Sequence, residues 1–530
     1  MPTLTWIGKD KVINHHHDVP FRILDPQYSY GTPSPDLGEG RAEGNRIIHG
    51  DNLEALKALL PYYEGRIKCI YIDPPYNTGN EGWVYNDNVS DPKLKRWLGK
   101  VVGKESEDLS RHDKWLCMMY PRLQLLHRLL ADDGAIFVSI DDNEQASLKL
   151  VMDEIWGPGN FVSSIVWQKN FAPKNDAKHF STDTESIIAY AKSLTLLKIY
   201  RLKRSEKNLQ NYKNPDNDIR GLWASSDLLR MEHRDNSVYT ITSPSGRQWA
   251  PEPGTSWRHP EPELIELVKN NRIWFGLDGN TKPRRKRFLS EIKEGVIPQT
   301  LWKHEEVGNT QEAKKEVNSI FKGTNERFPT PKPTRLIERI LQIATGPNDI
   351  ILDSFAGSGT TAHAVLNLNK QDGGNRQFIL VEMEDYAETI TAERVRRVID
   401  GYGGKDGTGG EFTYYELGPA LFTENGLLNE DLPLNRIREY IWYSETRLPF
   451  LSTPKTENET PHFLGKLFET AYYFYYQPNE LTTLDYDFLS TVQTPAEQYV
   501  IYADNCLISP DWLQQRHIIF KKIPRDISRF

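Results

Sequence analysis

Ile67-Lys68-Cys69-Ile70-Tyr71-Ile72-Asp73-Pro74-Pro75-Tyr76 reads as a strand that stops on an acid, a proline pair and an aromatic ring. The apolar run is short and bounded by a breaker, the pattern of a strand buried on both faces of a sheet. Two prolines fix two φ angles and remove two backbone donors, so the carbonyls of Asp73 and Pro74 stand as acceptors beside the Asp73 carboxylate. Such a cluster holds the two hydrogens of a planar amino group, and Tyr76 offers a ring for a base to lie against. Alone, the tetrapeptide reads equally well as punctuation at a strand end. Position argues for chemistry, because open α/β sheets bind ligands at the carboxyl ends of their strands.

Working outward, the segment from Asn45 to Asp51 reads as a short strand followed by a helix with Leu53, Leu56, Leu59 and Leu60 on one face. Asp51 serves there either as a cap or as a ligand. After Tyr76, the polar segment from Asn77 to about Leu109, with Gly79, Gly82, Trp83, Tyr85 and Trp97, has the composition of a mobile loop over a site. A helix from Trp115 to Leu130, a strand over Ala135–Ile140, a helix around Gln145–Ile155 and strands at Phe161–Trp167 and Glu185–Lys192 follow. Alternation lapses and resumes near Pro329, with a helix through Leu336–Leu341, strands at Asp349–Asp353 and Phe378–Val381, and a helix between them. This order predicts an α/β fold with a doubly wound, mostly parallel sheet, divided by an insert. The expected divisions are an irregular arm over 1–44, halves of the sheet domain at 45–192 and 326–410, an insert at 193–325, and a C-terminal α+β domain at 411–530.

Bulk properties bound the function. At 530 residues the chain exceeds one ordinary core, and 38% hydrophobic with 26% charged residues describes a globular protein. No apolar run is long enough to cross a bilayer, and Met1 to Trp6 lacks the basic-then-apolar order of a signal peptide, which predicts a cytoplasmic protein. Cys69, Cys117 and Cys506 lie far apart and His15-His16-His17 has no partner in ligand register, so no metal is expected. With a net charge of −8, nucleic-acid binding requires local basic patches. The insert holds two: Lys198, Arg201, Lys203, Arg204 and Lys207, then Lys282, Arg284, Arg285, Lys286 and Arg287, with Trp223, Trp249, Trp257 and Trp274 interleaved. A charge run is ordinarily a solvated face, but this concentration within an acidic chain points to a phosphate backbone.

Ser354-Phe355-Ala356-Gly357-Ser358-Gly359-Thr360-Thr361 lies between a strand and a helix. A glycine turn there lets backbone amides approach a negative group at the helix start. No third glycine follows, so the dinucleotide fingerprint is absent and a smaller ligand fits better. Glu382, at the tip of the next strand, stands where an acid accepts ribose hydroxyls. S-adenosylmethionine, with a carboxylate and a ribose, meets both conditions.

In combination these residues resemble the β class of DNA amino-methyltransferases. Asp73-Pro74-Pro75-Tyr76 resembles its catalytic motif, and Phe355-Ala356-Gly357-Ser358-Gly359, with Asp353 before it and Thr360 and Thr361 after, its S-adenosylmethionine motif. Thr330-Pro331-Lys332-Pro333 resembles the segment that flanks the methionine part of the cofactor, and His49-Gly50-Asp51 the strand-end acid near the adenine. The resemblance implies a Rossmann-like class I methyltransferase fold with permuted motif order and methyl transfer to the N6 of a flipped adenine in double-stranded DNA. The same loop accommodates a cytosine-N4 target, and Asp at position 73 leans toward adenine by family resemblance. A DNA-binding or assembly subunit with a retired active site is the non-enzyme alternative. Length and the tail, with Phe463-Leu464-Gly465-Lys466 and Tyr472-Tyr473-Phe474-Tyr475-Tyr476, resemble the modification subunit of type III restriction-modification systems, which implies a Res-type partner and a second copy of the chain. The aromatic run also reads as ordinary core.

Overall fold

The computed structural model describes residues 3–31, 44–77, 111–173, 177–450 and 460–530. The expected loop over the site lies outside them beyond Asn77. The described chain divides into two compact units, Met1–Ile199 with Gln299–Phe530, and Tyr200–Pro298.

The first unit is built on a ten-stranded sheet. Its strands in chain order are β1 (Arg22–Gly31), β2 (Arg46–His49), β3 (Ile67–Ile72), β4 (Leu130–Ile140), β5 (Phe161–Gln168), β6 (Thr184–Ala191), β7 (Leu301–Trp302), β8 (Ile350–Asp353), β9 (Gln377–Glu382) and β10 (Glu411–Ala420). In space the order is β1-β10-β2-β9-β8-β3-β4-β6-β5-β7. The six strands from β10 to β4 are parallel, β6 runs antiparallel between β4 and β5, and β1 closes the opposite edge antiparallel to β10. Every residue of β3 is buried, as its unbroken apolar run requires.

Helices α1 (Asn52–Tyr63) and α2 (Arg111–Leu129) connect strands in one direction across the sheet, whereas α5 (Thr334–Ala344) and α6 (Thr360–Asp372) connect them in the other. Right-handed crossovers of opposite direction place their helices on opposite faces. Accordingly α1 packs on α2 and α2 on α3 (Gln145–Trp156), while α5 packs on α6 and α6 on α7 (Glu393–Asp400). The direction reverses between β8 and β3, neighbours in the sheet although about 280 residues apart in sequence. Such a reversal opens a crevice at the strands' carboxyl ends.

The N-terminal arm departs from its irregular expectation. Two short helices, Lys9–Val12 and His15–Asp18, precede β1, which pairs with β10 almost 400 residues later. β1 is an edge strand with only Leu24 buried and Pro26 inside it, so it carries no apolar alternation to read. The tail continues the first unit's core: Ile437, Tyr440 and Tyr443 of a helix over Leu434–Thr446 join Leu56, Leu59 and Leu60 of α1 in one cluster. A four-stranded sheet spanning Phe463 to Lys522 completes the unit, with Tyr473, Phe474 and Tyr476 of the aromatic run buried. Of the stretch expected as insert, 193–199 and 299–325 belong to this unit, including α4 (Thr310–Ile320).

The second unit is small-stranded, with a three-stranded sheet of Ile273–Trp274, Arg284–Phe288 and Trp223–Asp227. Trp257, Leu264, Ile273 and Phe275 form its core, with Trp249 packed against it. The interleaved tryptophans therefore build this unit rather than decorate its surface.

Candidate active site

Parallel strands put their carboxyl ends along one edge, and each of the five central ones is followed by or ends in an acid: Asp51 after β2, Glu382 on β9, Asp353 on β8, Asp73 after β3 and Asp141 after β4. A cleft of about 420 Å³ opens at the β8–β3 reversal. It is lined by Asp73, Pro74, Tyr76, Lys332, Asp353 and the Phe355–Ser358 loop, with Thr360 and Thr361 at the start of α6. The Asp-Pro-Pro-Tyr and glycine motifs, remote in sequence, thus share one cavity.

Asp73 is held by charge. Lys332 Nζ donates to Asp73 Oδ1 and Oδ2, both at 2.7 Å, and to the Tyr76 hydroxyl at 2.7 Å. That hydroxyl lies 2.6 Å from Asp73 Oδ1 and 2.5 Å from Glu185 Oε1, and its single proton serves one acid at a time. Glu185 Oε1 is 3.2 Å from Lys332 Nζ, and Oε2 is 3.5 Å from Lys169 Nζ. Burial pushes the Asp73 carboxyl up, against the pull of Lys332, and the neighbouring Glu185 adds to the rise. Burial would raise Glu185 as well, but Lys332 and Lys169 together hold it below the usual carboxylate range. The Trp115 indole pins the proline pair by donating to the Pro75 carbonyl at 2.7 Å.

The glycine loop is held by two buried acids and one arginine. Gly357 and Gly359 have φ of 51° and 79°, and a Cβ on Gly359 would stand 3.1 Å from the Thr391 carbonyl, so the turn needs glycine there. Asp353 accepts from the Phe355 amide at 3.0 Å and the Thr361 hydroxyl at 2.5 Å. Burial nevertheless pushes it up to about 7. Glu382 accepts from the amides of Gly357 at 2.7 Å and Glu384 at 3.0 Å, and burial pushes it to about 7 too. Beneath the loop, fully buried Arg394 donates to Ser358 Oγ at 2.8 Å and Thr360 Oγ1 at 2.9 Å.

Glu382 therefore braces the loop through backbone amides. Asp51 stands off the cavity as the cap of α1, accepting from Leu53 N at 2.8 Å. Lys332, which resemblance assigned to the cofactor flank, puts its ammonium on Asp73, while its carbonyl lies 3.4 Å from Thr360 Oγ1.

Sequence reading missed Glu185, Lys169 and Arg394. Glu185 is the second residue of β6, the antiparallel strand, which enters the sheet at the edge where the parallel strands end. Only the strand order brings it near Asp73. In the second unit Arg201, Lys203, Arg284 and Arg287 are exposed, Arg204 and Arg285 are half-buried, and Lys286 requires correction as a phosphate contact. Its side chain is 0% exposed, turned inward by the alternation of its strand onto Asp216 and Asp218.

A family model described as DNA methylase matches residues 67–393. The chain is 37% identical over 398 residues to the Mod subunit of type III restriction-modification enzyme StyLTI from Salmonella typhimurium, covering 72% of this chain and 58% of that one. It is 29% identical over 429 residues to the EcoP15I Mod subunit from Escherichia coli, covering 72% and 64%. It is 32% identical over 355 residues to the type II methyltransferase M.KpnI from Klebsiella pneumoniae, covering 63% and 80%. The chain thus spans about six tenths of the length of these type III relatives.

Proposed function

The chain belongs to the DNA methylase family, and from that membership we propose that it transfers a methyl group from S-adenosylmethionine to the exocyclic N6 of adenine in double-stranded DNA. The observation that carries the reading is the junction of Asp73 with the glycine loop in one cleft at the β8–β3 reversal. Likeness to two Mod subunits supports a modification role beside a restriction subunit; a second copy of the chain and a cytoplasmic location complete the proposal. Among the described residues no helix is long and apolar enough to cross a membrane.

The cleft fits the cofactor on its own chemistry. The start of the 13-residue α6, beside the glycine turn, presents a positive dipole end to a carboxylate. Family resemblance assigns Glu382 and Asp51 to the ribose and adenine ends, although Asp51 stands off the cavity as the cap of α1. When bound, the cofactor supplies an electrophilic methyl group on a sulfonium.

The amino nitrogen of adenine is a poor nucleophile because its lone pair is delocalised into the ring. Accepting its two hydrogens at the Asp73 carboxylate and the Pro74 carbonyl favours a tetrahedral nitrogen whose lone pair is free to attack, so catalysis is positioning plus electrostatic stabilisation. A carboxylate is far too weak a base to remove an amino proton beforehand. The proton leaves after transfer, onto Asp73 or water. Within a duplex the amine is out of reach, so the base is flipped into the cleft beside Tyr76. Sequencing modified bases in DNA from cells that express the chain tests the reading: N6-methyladenine within one short word is expected, N4-methylcytosine would transfer the proposal to cytosine, and no modification would refute it.

A further inference from the structure

One ammonium stands where the proposed chemistry needs an amine. Both oxygens of Asp73 are engaged by Lys332 Nζ at 2.7 Å, and the substrate's amino group requires that same carboxylate beside the Pro74 carbonyl. Its remaining neighbours are the Tyr76 hydroxyl at 2.7 Å and Glu185 Oε1 at 3.2 Å, which makes four acceptor oxygens for three N–H donors. One donor is always shared, and the ammonium can trade among the oxygens.

We propose that Lys332 is an internal stand-in for the substrate's amine, and that Glu185 is the seat to which its ammonium withdraws when a base enters. The proposal rests on the methyltransferase reading and adds a positioning residue to it. Glu185 suits the part: its side chain is 4% exposed, and the Tyr76 hydroxyl and Lys169 fix its two oxygens on either side. An ammonium driven off Asp73 into so buried a place needs an anion at once, or the desolvation cost opposes substrate entry. The exchange is confined to the side chain. Pro331 and Pro333 restrict the backbone on both sides of Lys332, and Pro333 leads directly into α5. Rotation about the last side-chain bonds carries Nζ from one acid toward the other while the Lys332 carbonyl keeps its place at Thr360. Tyr76 follows the exchange, since its one proton turns to whichever acid the ammonium has left.

The test is steady-state methyl transfer by the full-length chain to a duplex carrying its methylated word, with KM for DNA read apart from kcat. Glu185→Gln removes the seat's charge and is expected to raise KM for DNA roughly tenfold, with cofactor affinity unchanged. Adding Lys332→Met removes the competitor and should bring KM back to within about threefold of the parent. Adding Lys169→Met to Glu185→Gln instead restores the same net charge but leaves the competitor, so KM should stay high. Equal rescue by Lys169→Met would reduce the effect to net charge and overturn the exchange, and so would failure of Lys332→Met to rescue. Glu185→Asp keeps the charge with shorter reach and should raise KM only about threefold, which preserves the test if the Gln variant folds poorly. A parent chain that methylates nothing overturns the functional reading together with this one, whereas an active parent whose Glu185→Gln variant keeps its KM overturns the exchange alone.

Discussion

Two lysines in this chain are held by a pair of acids beside aromatic rings, and they have opposite characters. Lys286 lies with its ammonium on Asp216 and Asp218, 5.2 Å and 5.8 Å from the ring centres of Trp223 and Trp274. Both acids are fixed from elsewhere, Asp216 by the Trp223 indole at 2.9 Å and Asp218 by a two-pronged Arg220 at 2.9 and 2.7 Å. Lys332 also joins two acids and a ring, but it lines an open cleft, and it shares Tyr76 with both acids. The first arrangement closes a small unit whose apolar core is slight. The second leaves an ammonium with alternatives. What separates the two lysines is therefore the freedom of their acids and access to a cavity, not the number of their partners.

The sharpest way to break the comparison is at the acids. Asp73→Ala is expected to lower methyl transfer to DNA by about a thousandfold or more while leaving cofactor affinity within a few fold. Labelled-methyl incorporation and calorimetry measure the two, and comparable turnover would remove Asp73 from the chemistry. Lys286→Met should do the reverse. It leaves Asp218, 3% exposed, with only part of its countercharge. The expected loss is about 3 kcal/mol, the low end for breaking a buried pair, because Arg220 stays on Asp218. Urea unfolding monitored on the insert's tryptophans reads it, and cofactor affinity should be unchanged.

Much of the large sheet was legible because each parallel strand is a closed apolar run between breakers, and the acid after each run marks the ligand edge. Asp73, the proline pair and the glycine loop announced themselves in this way. Three features escaped, each for a physical reason. β1 is an exposed edge strand whose partner lies at the other end of the sheet domain, so no local period betrays it. Glu185 owes its place to a reversal of strand direction, a property of topology rather than of its neighbours in sequence. Lys286 sits in a run of five residues, Arg284 to Phe288, where charge suggested a solvated face; pairing of that strand on both edges turned one cation into the core. A basic run in a strand can bury every second residue, and reading it as a patch overlooks that.

A weaker effect separates the braces of the two loops. Asp353 is raised to about 7 in the folded chain, and in an unfolded chain it returns toward 3.8. The folded state therefore binds a proton more readily between those values. Its contribution to stability is fully present below about pH 4 and is lost as pH rises through 7. Asp353→Asn keeps both partners, with Oδ1 accepting from the Phe355 amide and Nδ2 donating to the Thr361 hydroxyl. The variant should be more stable than the parent at pH 8 by on the order of 2 kcal/mol, with the difference shrinking as pH falls and vanishing below about pH 4. Melting temperatures across that range decide it; a constant difference would mean that Asp353 carries its charge at no cost.

The smallest expected effect concerns the strand that holds Lys286. Arg284 and Arg287 are exposed, and Arg285 is half-buried, its guanidinium 3.2 Å from His259 Nε2. If this face meets the phosphate backbone, replacing the three arginines by glutamine should make log K against log salt shallower by about 0.9 for each phosphate that is no longer neutralised, up to about 3 in all. Binding to unrelated duplexes should weaken in parallel, because phosphate contacts position a protein without reading sequence. Lys286 should contribute nothing to that slope beyond what unfolding of the unit causes, since its charge is already answered by Asp216 and Asp218. An unchanged slope in the triple variant would return all of them to one solvated face, and the binding of DNA would then fall to the cluster at Arg201, Lys203 and Arg204.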